Sequence, residues 1–284
     1  MAGSPTARRR RLSFELKRLR ESSGMTCAQV GAAVDWSGSK VNRMETGHGR
    51  VQPSDVEALC RLYETTDELR EFLKSLARQA KTKGWWQVHG AGVPEWFNIY
   101  IGLEQEADSF RQYQCEIVPG LMQTPAYIRE LHVAGSHMKP EDAERAIHVR
   151  LERQEMLSRQ DPAPPDAWFV ISEAALRNVV GDHAVMREQL EHLLEAAQLS
   201  AITLQVLAFD SGTRPLTGPF TILGFPDQED PDVVYRDGIT DAVYLEGEHH
   251  VREYTRAFDG LRAAALSPHR SLRLIESIIK EYAQ

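Results

Sequence analysis

Between Ser37 and Gly47 the chain reads SGSKVNRMETG, which sets Ser39, Lys40, Asn42 and Arg43 close together in sequence. A hydroxyl, an ammonium, an amide and a guanidinium are the groups that meet phosphate oxygens and base edges. The surrounding charge suits such partners. Residues 1–52 carry ten basic side chains (Arg8, Arg9, Arg10, Arg11, Lys17, Arg18, Arg20, Lys40, Arg43, Arg50) against Glu15, Glu21, Asp35 and Glu45, a charge of +6. The 284-residue chain has 33 basic and 41 acidic side chains, or −8, so the other 232 residues carry −14. Phosphate neutralisation by Lys and Arg supplies most sequence-independent DNA affinity, which singles out the N-terminal segment.

No comparable constellation speaks for catalysis. The ten histidines form no H-E-x-x-H, and there is no G-x-S-x-G, G-x-G-x-x-G or phosphate-binding P-loop. Glu248-His249-His250 stands at a helix start, where adjacent residues do not share a face, so no metal site is expected. Cys27, Cys60 and Cys115 are too scattered for a disulfide framework or a zinc site. The chain is not read as an enzyme, and no cofactor is expected. No run nears the roughly 18 apolar residues that span a bilayer, and no apolar stretch follows the N-terminal arginines. A cytoplasmic protein without membrane contact is expected.

The basic segment needs elements to hold it. Residues 1–11 read as a basic flexible tail, and residues 12–80 as five helices. Leu12, Leu16 and Leu19 share one face of the first helix, and Thr26 with Gln29 forms a capping box at the second. Asp35-Trp36 makes a turn, Ser37 caps a short third helix, and Gly47-His48-Gly49 ends it. Ser54 with Glu57 suggests a box for the fourth, and Leu69, Phe72, Leu73 and Leu76 mark the fifth. Two helices joined by a short turn, the second short, serine-capped and basic, make a helix-turn-helix whose second helix enters a major groove. The alternative on pattern alone is an ordinary helical bundle with a solvated charged face.

Residues 81–101, broken by Gly84, Gly90, Gly92 and Pro94, read as a linker, with Trp85, Trp86, Trp96, Phe97 and Tyr100 packing between domains. Residues 102–284 mix periods. Helices are expected over 96–113, 125–133, 140–157, 182–199, 248–266 and 271–282, and strands over 168–172, 202–207, 220–225, 233–236 and 242–245. The fold class is therefore a mainly α N-terminal domain followed by an α/β (α+β) domain with a small mixed sheet flanked by helices. Glu152 and Glu155 among Arg150, Arg153 and Arg159 suggest a solvated, charge-paired helix. The apolar stripe Leu272, Ile275, Ile279 and Tyr282, with Leu274 and Ile278 beside it, must be buried against its own core or a partner. Residues 210–219 form a Gly/Pro-rich loop of the kind that can bind.

Residues 14–63, above all Leu16-Lys17-Arg18-Leu19-Arg20, Met25-Thr26 and the stretch Ser37 to Gly47, resemble the phage-repressor-like (XRE) helix-turn-helix regulators. That resemblance implies base reading by Gly38, Ser39 and Arg43, and a Glu45 that braces the domain. Arg43 can donate twice to guanine O6 and N7, whereas Ser39 and Gly38 specify weakly. Thr26, Ser37, Lys40, Asn42 and the run Arg8, Arg9, Arg10, Arg11 suit DNA phosphates; the run can act as a minor-groove arm or only as a diffusely attracting tail. Cys27 stands where the family usually has glutamine.

The stretch Glu116-Ile117-Val118-Pro119-Gly120-Leu121-Met122-Gln123-Thr124-Pro125-Ala126-Tyr127 is similar to the hallmark of the uncharacterised DUF5753 domain of actinobacterial, Streptomyces-type regulators. Further blocks follow in order: Ile171 to Arg177, Gly181 with Gln189-Leu190, Thr203 to Leu207 and Gly218-Pro219-Phe220. Ser172 replaces the more usual aspartate there. The resemblance implies an antitoxin-like regulator often paired with a small acidic protein encoded nearby, and supplies no catalytic residues. The expectation is a sequence-specific regulator of a double-stranded DNA operator. Its C-terminal domain is expected to bind a small protein or ligand and to form a homodimer, since one recognition helix reads few base pairs. The alternatives are an antitoxin-like capture module that autoregulates its operon and, less favoured, an enzyme localised on DNA.

Overall fold

The computed structural model describes residues 5–47, 49–80, 95–135, 140–212, 218–226 and 230–282. The chain divides into two compact units, Met1–Val88 and His89–Gln284.

In the first unit five helices enclose one core: α1 (Pro5–Ser22), α2 (Cys27–Ala33), α3 (Gly38–Glu45), α4 (Pro53–Leu62) and α5 (Asp67–Gln79). Leu12 and Leu16 of α1 meet Val30, Val41, Met44, Val56, Leu59 and Leu73 in that core. The expected tail through residue 11 is corrected: α1 starts at Pro5, a residue suited to a helix's first turn, and Arg8 to Arg11 lie on it. The expected box at Ser54 is also corrected. Helix α4 begins at Pro53, and the Gln52 backbone N–H donates to Asp55 Oδ2 at 2.8 Å. Glu57 is engaged elsewhere, accepting from Lys74 Nζ at 3.0 Å.

The second unit is built on a six-stranded mixed sheet, in the order β3-β2-β1-β4-β5-β6: β1 (Ser109–Gln114), β2 (Asp166–Ser172), β3 (Ile202–Leu207), β4 (Phe220–Gly224), β5 (Val233–Asp237) and β6 (Ala242–Leu245). Strands β1, β2 and β3 run parallel, while β4 to β6 form an antiparallel meander on the other side of β1. The parallel pairs need long crossovers, supplied by helices. Helices α7 (Pro125–Gly135) and α8 (Pro140–Gln154) lie between β1 and β2, and α9 (Glu173–Arg177) and α10 (His183–Ala196) between β2 and β3.

Alternation along the strands loads both sheet faces with apolar residues. Phe110, Phe169, Leu204, Val233 and Tyr235 face a core shared with α6 (Glu95–Glu106), α10 and α12 (Pro268–Tyr282). Tyr113, Val170, Ile222 and Val234 face Phe258 and Leu261 of α11 (Glu248–Ala264). The stripe on the last helix is therefore covered by its own domain, with Ile275 and Ile278 fully buried.

Strand β1 overturns the expected helix over 96–113. Helix α6 stops at Glu106, and the chain turns into a central strand whose Gln112 is buried and donates to Thr221 Oγ1 on β4 at 3.0 Å. A polar residue satisfied across the sheet conceals a strand from apolar-pattern reading. Helix α6 lies within the second unit, so the expected linker ends too late at 101; residues 81–94, with Trp85 and Trp86, lie outside the described residues. So do 213–217 of the candidate loop, His48, and residues 1–4.

Candidate nucleic-acid interface

Helices α2 and α3 are joined by a turn that only particular residues permit. The Trp36 backbone N–H donates to Gly31 O at 2.7 Å, and a Cβ on Gly31 would lie 2.6 Å from Trp36 O, so any side chain there would collide with backbone. Asp35 takes a positive φ of 58°, which aspartate tolerates better than most residues. At the crossing, a Cβ on Gly38 would stand 3.0 Å from Ala28 Cα. Gly38 is half-buried and serves the approach of the two helices.

Both helices are capped as expected. Thr26 Oγ1 accepts from the Gln29 backbone N–H at 3.3 Å, while the Thr26 backbone N–H donates to Gln29 Oε1 at 2.8 Å. Ser37 Oγ accepts from the Lys40 backbone N–H at 3.1 Å. The core behind α3 is braced by Arg20, whose Nε donates to both carboxylate oxygens of Glu45 at 2.9 Å. Burial pushes the Glu45 carboxyl up, against the opposing pull of Arg20. Cys27 Sγ donates to Glu45 Oε2 at 3.8 Å, so the residue at the departure from the usual glutamine joins this brace. Ser13 Oγ donates to Met44 O at 2.7 Å and ties α1 to the end of α3.

The remaining polar residues of α3 differ sharply in freedom. Lys40 Nζ donates to Asp55 Oδ1 at 2.9 Å and lies 3.6 Å from the centre of the Trp36 ring. One carboxylate thus caps α4 and holds a lysine of α3. Ser39, Asn42 and Arg43 are exposed, and their side chains make no hydrogen bond or ion pair among the described residues. The basic run is likewise split. Arg9 is exposed and Arg8 and Arg10 are half-buried, whereas Arg11 pairs with the buried Glu15 at 3.0 Å, joined there by Arg18 at 2.7 Å.

In the second unit the PGLMQTP segment is laced to its surroundings. Gln123 Nε2 donates to Val118 O at 2.7 Å, Gln154 Nε2 to Gln123 O at 2.7 Å, and Gln189 Nε2 to Met122 O at 2.6 Å. Thr124 caps α7, and the Val118 backbone N–H donates to the Tyr127 hydroxyl at 3.3 Å. Both polar side chains of this segment, Gln123 and Thr124, have structural tasks.

The expected solvated helix around Arg150 and Arg153 is corrected. Arg153 is 4% exposed, and its Nε and NH2 donate to the fully buried Glu104 at 2.6 and 2.7 Å. Burial alone would lower the guanidinium's pKa; the Glu104 charge and hydrogen bonds outweigh it and hold it above its ordinary value. The cation also lies 4.9 Å from the Phe97 ring centre and 5.5 Å from that of Tyr100, and Tyr100 packs on Tyr235 with centroids 4.1 Å apart. Phe97 and Tyr100 thus serve the core of the second unit.

A family model described as a helix-turn-helix domain matches residues 11–73, and one described as a domain of unknown function, DUF5753, matches residues 97–277. The chain belongs to the DUF5753 family. No curated protein and no solved structure matches it. The N-terminal helices are a helix-turn-helix DNA-binding domain, and the regulator carries its DUF5753 domain C-terminally. Sequence reading missed Asp55 and Trp36 as holders of Lys40 and Glu104 as the partner of Arg153. The Asp55 and Glu104 partners lie 15 and 49 residues away, beyond any local spacing rule. No described helix is long and apolar enough to cross a membrane, and no cluster of metal ligands is found among the described residues.

Proposed function

We propose that this DUF5753 protein reads a specific operator by laying α3 in the major groove, with Arg43 as its principal base-reading residue and Ser39 and Asn42 beside it. The observation that carries this reading is the contrast within α3. Arg43 stands exposed and unpartnered among the described residues, on a short helix fixed by the Ser37 cap and the Arg20–Glu45 brace. An arginine carried on a braced helix, with its guanidinium not consumed by an internal partner, is free for a bidentate contact to guanine. Gly38 serves packing in this reading, and Lys40 acts as a strut. Arg9, and Thr26 and Ser37 at the helix starts, remain suited to phosphates; Arg11 supports Glu15 instead.

Dimerisation and a sensing role for the DUF5753 domain complete the proposal. One recognition helix reads too few base pairs, and a two-fold pair gains affinity from half-sites about one helical turn apart. The partner is a small protein or ligand; an antitoxin-like pairing with a small acidic protein is the second form of the same idea, since the domain exceeds what dimerisation requires. Selection of duplexes from a random library by the full chain tests this reading. Expected is a motif with two related half-sites about 10 base pairs apart. Unenriched sequence after several rounds would contradict it.

A further inference from the structure

Several basic residues of the helix-turn-helix domain are answered from within it. Arg20 is held by Glu45, Arg11 and Arg18 by Glu15, and Lys40 by Asp55. The three arginines belong to α1, but Lys40 lies in the first turn of α3, beside Ser39. It stands three residues before Arg43, and residues three apart are neighbours on a helix surface. Lys40 and Arg43 are the two cations of α3. The carboxylate that answers one of them therefore bears on how the helix meets a polyanion.

Asp55 is 9% exposed, and both of its oxygens are in use. Oδ1 accepts from Lys40 Nζ at 2.9 Å, and Oδ2 from the Gln52 backbone N–H at 2.8 Å. The second bond closes the start of α4, where the helix dipole favours a negative charge, so the carboxylate cannot turn away from Lys40 without opening that cap. The Trp36 ring, its centre 3.6 Å from Nζ, covers another side of the ammonium. The Lys40 side chain still keeps 38% of its surface exposed. The cation thus reaches solvent already neutralised. A phosphate approaching it meets the Asp55 charge as well, and a neutral pair displaces no counterion from DNA.

We infer that Asp55 is a positioning residue of the DNA interface, which withholds Lys40 from the phosphates and so limits the electrostatic share of binding. A phosphate contact strengthens binding to every duplex alike. A second free cation on α3 would favour the many non-specific sites that compete with an operator as much as the operator itself. The inference rests on the reading of α3 proposed above and adds to it the residue that sets its salt dependence.

The test compares the full chain with Asp55→Asn in anisotropy titrations over a series of salt concentrations, against a selected and a scrambled duplex. Asparagine keeps an oxygen for the Gln52 N–H and removes the charge. Expected is a slope of log affinity against log salt that steepens by about 1, with both affinities rising several-fold at low salt and their ratio unchanged. In a Lys40→Met background the same substitution should leave the slope where Lys40→Met alone puts it. A slope unmoved by Asp55→Asn, as a purely structural carboxylate would give, overturns the inference. So does equal steepening in the Lys40→Met background, which would mean that the Asp55 charge acts at a distance. Should Asp55→Asn fail to fold, Lys40→Met decides: an unchanged slope supports the inference, and a slope lowered by about 1 overturns it, because Lys40 would already hold a phosphate. Arg43→Ala, measured alongside, separates the two levels. If it leaves base preference unchanged, the reading of α3 falls and the inference with it; if it relaxes preference while the Asp55 arm fails, the inference alone falls.

Discussion

Two arginine-bearing helices of this protein put the same side chain to opposite ends. Helix α3 displays Arg43 to solvent with its hydrogen-bonding groups unspent, while α8 draws Arg153 into the core and closes it on Glu104. Nothing in the local sequence distinguishes them, since each is a basic residue on an amphipathic helix. What differs is whether the fold brings up a carboxylate. Around α3 the carboxylates are committed elsewhere, Glu45 to Arg20 and Asp55 to Lys40. An arginine with an intramolecular partner holds structure together; one without is available to a ligand.

The largest effect should come from breaking the closed pair. Glu104→Ala leaves Arg153 buried and unpaired, and should lower stability by about 3–5 kcal/mol in denaturant unfolding of the full chain. A loss under 1 kcal/mol would mean that Arg153 reaches water. Arg43→Ala should leave stability near wild type, since exposed residues contribute little, yet cost about 1–3 kcal/mol of operator affinity and relax base preference at one position of each half-site. Anisotropy titration at fixed salt reads both quantities.

Lys40 sharpens the contrast, because it lies three residues from Arg43 and is tied down. Lys40→Met should weaken binding modestly while keeping the slope of log affinity against log salt. A phosphate-contacting lysine would instead lower that slope by about 1. Smaller still, Ser39→Ala should change operator affinity by about 1 kcal/mol or less, near the net worth of one neutral hydrogen bond.

The N-terminal domain was largely legible, because its signals are local. Capping at Thr26 and Ser37, the stop at Gly47 and the leucine spacing of α1 all act within a few residues, and each is found where expected. The errors there arise at the edges: Pro5 starts α1 ahead of Leu12, and Pro53 starts α4 ahead of the Ser54 pattern. In the C-terminal domain the five apolar strands were visible, and the central one was not. Gln112 and Arg111 make β1 look polar, and their partners, Thr221 and Asp232, are over 100 residues away. The same distance problem hid the buried ion pair, since Arg153 and Glu104 meet only once α6 and α8 are packed. Charge spacing along α8 suggested solvated pairing because sequence shows which charges are neighbours on a helix and says nothing of what the fold lays across them.

The central claim is that α3 discriminates sequence through Arg43 and not through charge alone. It is tested most directly by titrating wild type and Arg43→Ala against a selected duplex and a scrambled one of equal length and salt. Expected is a ratio of the two affinities that falls by about tenfold in the variant, with scrambled-duplex affinity nearly unchanged. An unchanged ratio, with both affinities lowered together, would contradict the claim and reduce Arg43 to a phosphate contact.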